Sequence, residues 1–189
     1  MSNLDSLSMG TETTLEQWWE QYESKRERSG EHRVEIFVRS LSSPPGGHNR
    51  YRRIFEIIQA GSDADAAEDF ELTVLGKEIC TCKQCRQICP DDTLLETVTE
   101  LKQWRSGGMK SSGFVERSIQ SSVTGEEYRV VVPPELTLGI YVDDALVGVF
   151  PCLADGVAYG PDVFFEGLVS DDEVSSENTE KLLLSPADS

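Results

Sequence analysis

VVPPELTLGIYVDDALVGVF, residues 131–150, reads as two apolar strands reversed at an acidic pair. LTLGIYV (136–142) and ALVGVF (145–150) are rich in β-branched and aromatic residues, and Asp143–Asp144 stands where a two-residue hairpin turn is needed. YRVVVPP (128–134) just upstream is a third run of the same kind. The second half of the chain is therefore expected to be built on a β-hairpin.

The first half reads differently. VEIFVRSL (34–41) is an apolar strand, SSPPGGHN breaks it, and Tyr51, Ile54, Phe55 and Ile58 then recur at i, i+3, i+4, i+7, predicting a helix over 49–60 that Gly61 stops. After the acidic linker SDADAAED, FELTVLG (70–76) is a second strand. A second helix begins near Asp92 behind a Thr93–Glu96 capping box, buries Leu94, Leu95, Val98 and Leu101, and runs through 100–105 to Gly107–Gly108. A polar Ser/Gly segment leads to the strands, and 157–168 reads as a short closing helix. The order β-α-β-α-β-β-α implies right-handed crossovers feeding a hairpin, hence a single α/β domain with a mixed sheet over residues 33–168.

Outside that domain, residues 1–12 are polar and read as a disordered tail, and 13–29 as an amphipathic helix behind a Thr13–Glu16 capping box. Residues 169–189 read as an acidic tail, with six acids against one lysine from 171 onward. Trp18, Trp19 and Tyr22 give the helix an aromatic face that docks either on the domain or on a protein partner, a second copy included.

Four of the five cysteines fall within ICTCKQCRQICP, residues 79–90. Cys80, Cys82, Cys85 and Cys89 have the spacing C-x-C-x2-C-x3-C, enough soft thiolates to close a tetrahedral shell around Zn²⁺. Cys85 and Cys89 are one helical turn apart if the segment curls, but in an extended chain Cys80 points away from Cys82, so the backbone must turn between them. The run from Cys82 to Pro90 also resembles half of a bacterial ferredoxin motif, but an iron–sulfur cluster would need Cys152 or another subunit. A thiol redox switch and a loop without function compete with zinc. Cys152, alone after the hairpin, reads as a small buried hydrophobe.

Composition narrows the partners. Lys and Arg number 17 against 34 Asp and Glu, a formal charge of −17, so the surface repels nucleic acid at ordinary salt unless a basic patch is local. Such acidity suits molar salt, where the Debye length is about 3 Å. Arg39, His48, Arg50, Arg52 and Arg53 form a local concentration of base, readable either as an anion or nucleic-acid contact at a helix start or as partners for nearby acids. His32 and His48 are the only histidines, and no GxSxG, HExxH, P-loop or GxGxxG occurs, which leaves little material for a hydrolytic or nucleotide-dependent site. There is no apolar stretch of membrane-spanning length and no basic, apolar leader at the N-terminus, so a cytoplasmic, non-membrane protein with reduced thiols is expected.

Two resemblances add to this reading. VVPPELTLGIYVDDALVGVF resembles the hairpin segment of the thioredoxin-like fold, which implies a cis-proline at Pro133 or Pro134. Thioredoxin-like oxidoreductases carry a CxxC after the first strand, where this chain has Ser42, Ser43, Pro44, Pro45, Gly46 and Gly47, so that route to disulfide exchange is missing. RVEIFVRSLSSPPGGHNR, FELTVLGKEIC and SSVTGEEYRVVVPP are similar to a family of short, acidic haloarchaeal proteins sometimes labelled helix-turn-helix domain proteins. That label implies a DNA-binding transcriptional regulator. Periodicity alone reveals no helix-turn-helix, since a strand and the cysteine loop separate the two clear helices. The expectation is thus a non-enzymatic regulatory or partner-binding protein with a zinc-binding or redox-sensing thiol loop, the alternative being a DNA-binding regulator.

Overall fold

The computed structural model describes residues 13–28, 31–41, 52, 55, 56, 59, 69–88 and 93–169. The expected tails and the acidic linker 62–68 lie outside the described residues, as does most of the predicted helix over 49–60. Of that helix Arg52, Phe55, Glu56 and Gln59 are described, and all four are helical. Phe55, expected on its apolar face, is 53% exposed.

The first helix, α1 (Thr14–Arg28), starts as the sequence predicts. Thr13 Oγ1 accepts the Glu16 N–H at 3.2 Å, and Glu16 Oε2 accepts the Thr13 N–H at 2.6 Å, so two amide donors without intrahelical partners are satisfied reciprocally. Then come β1 (His32–Val38) and β2 (Asp69–Val74), paired in parallel from Arg33–Asp69 to Val38–Val74, as a crossover connection requires. The hairpin strands β8 (Leu136–Val142) and β9 (Ala145–Phe150) complete a four-stranded mixed sheet of order β2-β1-β8-β9, with β1 antiparallel to β8. Asp143 and Asp144 both adopt left-handed backbone, φ 49° and 60°, the signature of a type I′ turn whose twist matches that of the strands. Every residue of β8 is buried because the strand is central and covered on both faces.

Period-two alternation sorts the helices onto those faces. A Cβ on Gly148 would lie 2.5 Å from the Trp18 ring, so α1 packs directly on the backbone of β9. Its cross-strand partner Ile140 shares that face. A Cβ on Gly139, one position away and on the opposite face, would meet Leu101 at 3.1 Å, which puts α3 (Thr93–Gln103) on the other side of the sheet. The last helix, α4 (Pro161–Val169), joins α1: the rings of Phe164 and Trp19 are 5.6 Å apart, and those of Phe164 and Phe150 are 5.7 Å apart. Trp18 and Tyr22 are stacked at 5.4 Å and buried, and Trp18 Nε1 donates to the Val147 carbonyl at 2.9 Å. Both rings are used in the chain's own core.

Four expectations are corrected. The third apolar run is β7 (Glu127–Val132), which leaves the main sheet to pair with β3 (Ile79–Cys80) and β6 (Val115–Gln120) in a separate sheet of order β3-β7-β6. Pro133 and Pro134 carry no N–H for a ladder and form the passage between the two sheets. β6 falls in what reads as a polar loop: all six of its residues are exposed, so main-chain pairing rather than burial defines it. The segment after α3 forms a small hairpin, β4 (Arg105–Ser106) and β5 (Met109–Ser111), turned at Gly107–Gly108. It continues through β10 (Cys152–Ala154) and β11 (Val157–Tyr159) as a third sheet of order β11-β10-β5-β4. The predicted closing helix accordingly begins only at Pro161. The cis peptide is Phe150–Pro151, where β9 gives way to β10, and not at Pro133 or Pro134.

Candidate metal centre

The cysteine segment is ordered from its first residue. Ile79 pairs with Val131 and Cys80 with Val130, so β3 enters as the edge of the small sheet. The Thr81 N–H then donates to the Arg129 carbonyl at 2.9 Å, and Thr81 Oγ1 donates to the same oxygen at 3.1 Å. The double attachment holds the chain on β7 for one more residue. It then turns, and α2 (Lys83–Ile88) begins directly after Cys82. Cys82 occupies the position of a helix cap: its Sγ accepts the Cys85 N–H at 3.4 Å, as a Ser or Asp oxygen would.

This turn brings together thiols that an extended chain would hold apart. The sulfurs of Cys80, Cys82 and Cys85 all lie within 4.8 Å of one another, and all three residues remain partly exposed. Ligands about 2.3 Å from a tetrahedral Zn²⁺ would be about 3.8 Å apart, so a contraction of about 1 Å converts the cluster into three corners of such a shell. Hydrogen bonding with Cys82, then with Cys80, pushes the Cys85 thiol up to about 12. A soft divalent cation would reverse that preference by displacing the protons and taking thiolates. The three thiols, on a strand end and a helix start, could hold a metal ion.

Of the other predicted site residues, Cys89, His48, Arg50 and Arg53 lie outside the described residues. Arg52 is exposed, and its Nε lies 3.8 Å from Glu56 across one helical turn. Arg39, at the end of β1, meets Glu135 Oε1 at 3.3 Å. Both described members of the basic concentration thus have acidic partners. Cys152 is fully buried in the main core, its thiol pushed up to about 12 by burial, and it is not part of the thiol cluster. Thr81 is the positioning residue that sequence reasoning missed. Its one signal is a β-branched hydroxyl residue between the first two cysteines.

The cysteine segment also changes how the helices are counted. Because 83–88 is helical, α2 precedes α3 in the chain, and residues 89–92, which lie outside the described residues, come between them in sequence. Residues 26–173 match the model of a family described as helix-turn-helix domain, and the chain belongs to that family. No curated protein and no solved structure matches the chain. Among the described residues no helix is long and apolar enough to cross a membrane.

Proposed function

We propose that this chain is a non-catalytic regulatory protein whose thiol loop holds a structural zinc ion, fastening the strand β3 to the helix pair α2–α3. The observation that carries the reading is the convergence of the Cys80, Cys82 and Cys85 sulfurs to within 4.8 Å. Cys89, four residues after Cys85 in sequence, is the proposed fourth ligand. Zinc is favoured over thiol redox sensing because three thiols converge, one more than a disulfide uses. Disulfide exchange of the thioredoxin kind is not part of this reading: the order β2-β1-β8-β9, with its parallel pair and hairpin, favours a thioredoxin-like scaffold, yet 42–47 carries no cysteine where such an enzyme needs two. The test is elemental analysis of protein purified without chelators. About one zinc per chain, lost in Cys85→Ser, supports the proposal, and metal-free protein whose stability is unchanged by Cys85→Ser rejects it.

A second reading, a DNA-binding regulator, is favoured by the family. It carries an electrostatic difficulty, because Glu96 and Glu100 stand on the exposed face of α3 and would oppose phosphate. Binding to mixed-sequence duplex in molar KCl, weakened when Arg52 and Arg53 are removed, is the outcome this reading requires; no binding at any salt rejects it.

A further inference from the structure

The outer edge of the main sheet offers a second binding surface, independent of the thiols. β2 is the terminal strand of the order β2-β1-β8-β9, and among the described residues no strand pairs with its outer side. Sheet edges of this kind are usually blunted by lysine, proline or a bulge. DFELTV has neither lysine nor proline, and its ladder to β1 runs six residues without a register shift. Phe70 turns inward to meet Phe165, their rings 6.4 Å apart. Leu72 and Val74 share its face by period-two alternation, but they are 46% and 44% exposed. An unpaired main-chain edge and two uncovered apolar side chains thus coincide on one strand. β6, the outer strand of the small sheet, is also exposed, but Arg117 interrupts the face of Val115 and Ile119, whereas the acids of β2, Asp69 and Glu71, stand on the face opposite Phe70, Leu72 and Val74.

We infer that β2 pairs with β2 of a second copy, antiparallel about a two-fold axis through Leu72. The strand is self-complementary, which suits a second copy, and overlap fixes the register: centring on Thr73 also avoids opposed acids but pairs only residues 72–74 of β2, against 70–74 when centred on Leu72. Centred on Leu72, the pairing sets Leu72 against Leu72, Phe70 against Val74, and Glu71 against Thr73 of the other copy. Apolar residues then meet apolar residues on one face and no carboxylate opposes another. Centring on Glu71 would oppose like charges directly. Centring between the two residues would set each Glu71 against a Leu72, leaving the apolar faces of the two sheets on opposite sides. The Leu72-centred pair is isologous and closes as a dimer, with one continuous sheet running from β9 through both β2 strands to the other β9. A single strand pair falls below the roughly 1,000 Å² of a robust interface, so the dimer is expected to be weak and concentration-dependent. Each copy carries a formal charge of −17, and molar salt is what allows two of them to approach.

Analytical ultracentrifugation of the full chain across the micromolar range tests this. The expected result is a dimer in molar KCl that dissociates as salt is lowered. Leu72→Glu and Leu72→Lys, whose circular dichroism should match the parent's because Leu72 is already half exposed, are each expected to be monomeric. An equimolar mixture of the two should restore the dimer, since opposite charges then face one another at the axis. A parent chain that stays monomeric in molar KCl, a dimer untouched by either substitution, or a mixture that fails to reassociate overturns the inference. Metal content plays no part in these readouts, so this inference and the zinc proposal fail separately.

Discussion

Thr14 and Asp155, 141 positions apart, are joined by two hydrogen bonds: the Thr14 N–H donates to Asp155 Oδ2 at 2.8 Å and its hydroxyl donates to Oδ1 at 2.6 Å. The carboxylate thus caps the start of α1 from the turn between β10 and β11, where Asp155 itself has left-handed backbone with φ 52°. A negative group at a helix N-terminus also meets the positive end of the helix dipole. The two bonds from Thr14 hold the Asp155 carboxyl below its usual range.

Asp155→Asn is therefore expected to lower thermal stability at neutral pH. A carboxyl with a depressed folded-state pKa contributes stability above its unfolded value, 3.8, and loses it as pH falls through the folded value. The gap between the melting temperatures of parent and variant should be widest near neutrality and close below about pH 4. A gap that persists in acid would point to lost packing instead.

Tyr22 and Thr137 test the opposite situation. The hydroxyls of both are buried without a hydrogen-bond partner, and burial pushes the Tyr22 phenol up to about 12. Removing an unsatisfied buried polar atom while keeping shape is neutral or stabilising, so Tyr22→Phe and Thr137→Val should leave unfolding free energy unchanged or raise it by about 1–3 kcal/mol each. Urea unfolding at constant salt measures this.

Gly148 leaves room for Trp18. The 2.5 Å approach means that even a methyl group forces α1 away from β9, and overpacking of this kind costs about 1–3 kcal/mol. Gly148→Ala should reduce stability by that amount and alter the near-ultraviolet circular dichroism of the tryptophans. Trp18→Ala, which empties the same site, should cost about 3–5 kcal/mol.

Cysteine labelling separates the core thiol from the cluster. Cys152, fully buried with its thiol pushed up to about 12, should react with iodoacetamide only after unfolding. The cluster thiols are partly exposed, so excess zinc added before labelling should protect them while leaving the Cys152 peptide unchanged, as mass spectrometry would show.

Local rules carried far in this chain. The Thr13–Glu16 box, the Asp143–Asp144 turn, the parallel pairing of β1 with β2 and the burial of Cys152 all rest on signals a few residues long or on the handedness of a crossover. The sequence also proposed the thiols as ligands, with a redox switch and a loop without function as the competing readings. Three matters lay beyond it. VVV of β7 is as apolar as the hairpin strands, and only competition for partners sends it to β3 and β6 rather than to β8. VERSIQ has no apolar face to announce a strand, because backbone pairing alone holds β6. Whether Cys80 turns toward Cys82 depends on Thr81 gripping a carbonyl 48 residues away, a contact that no local pattern encodes. Residue types and spacing determined which groups were available, and pairing between distant segments decided which of them meet.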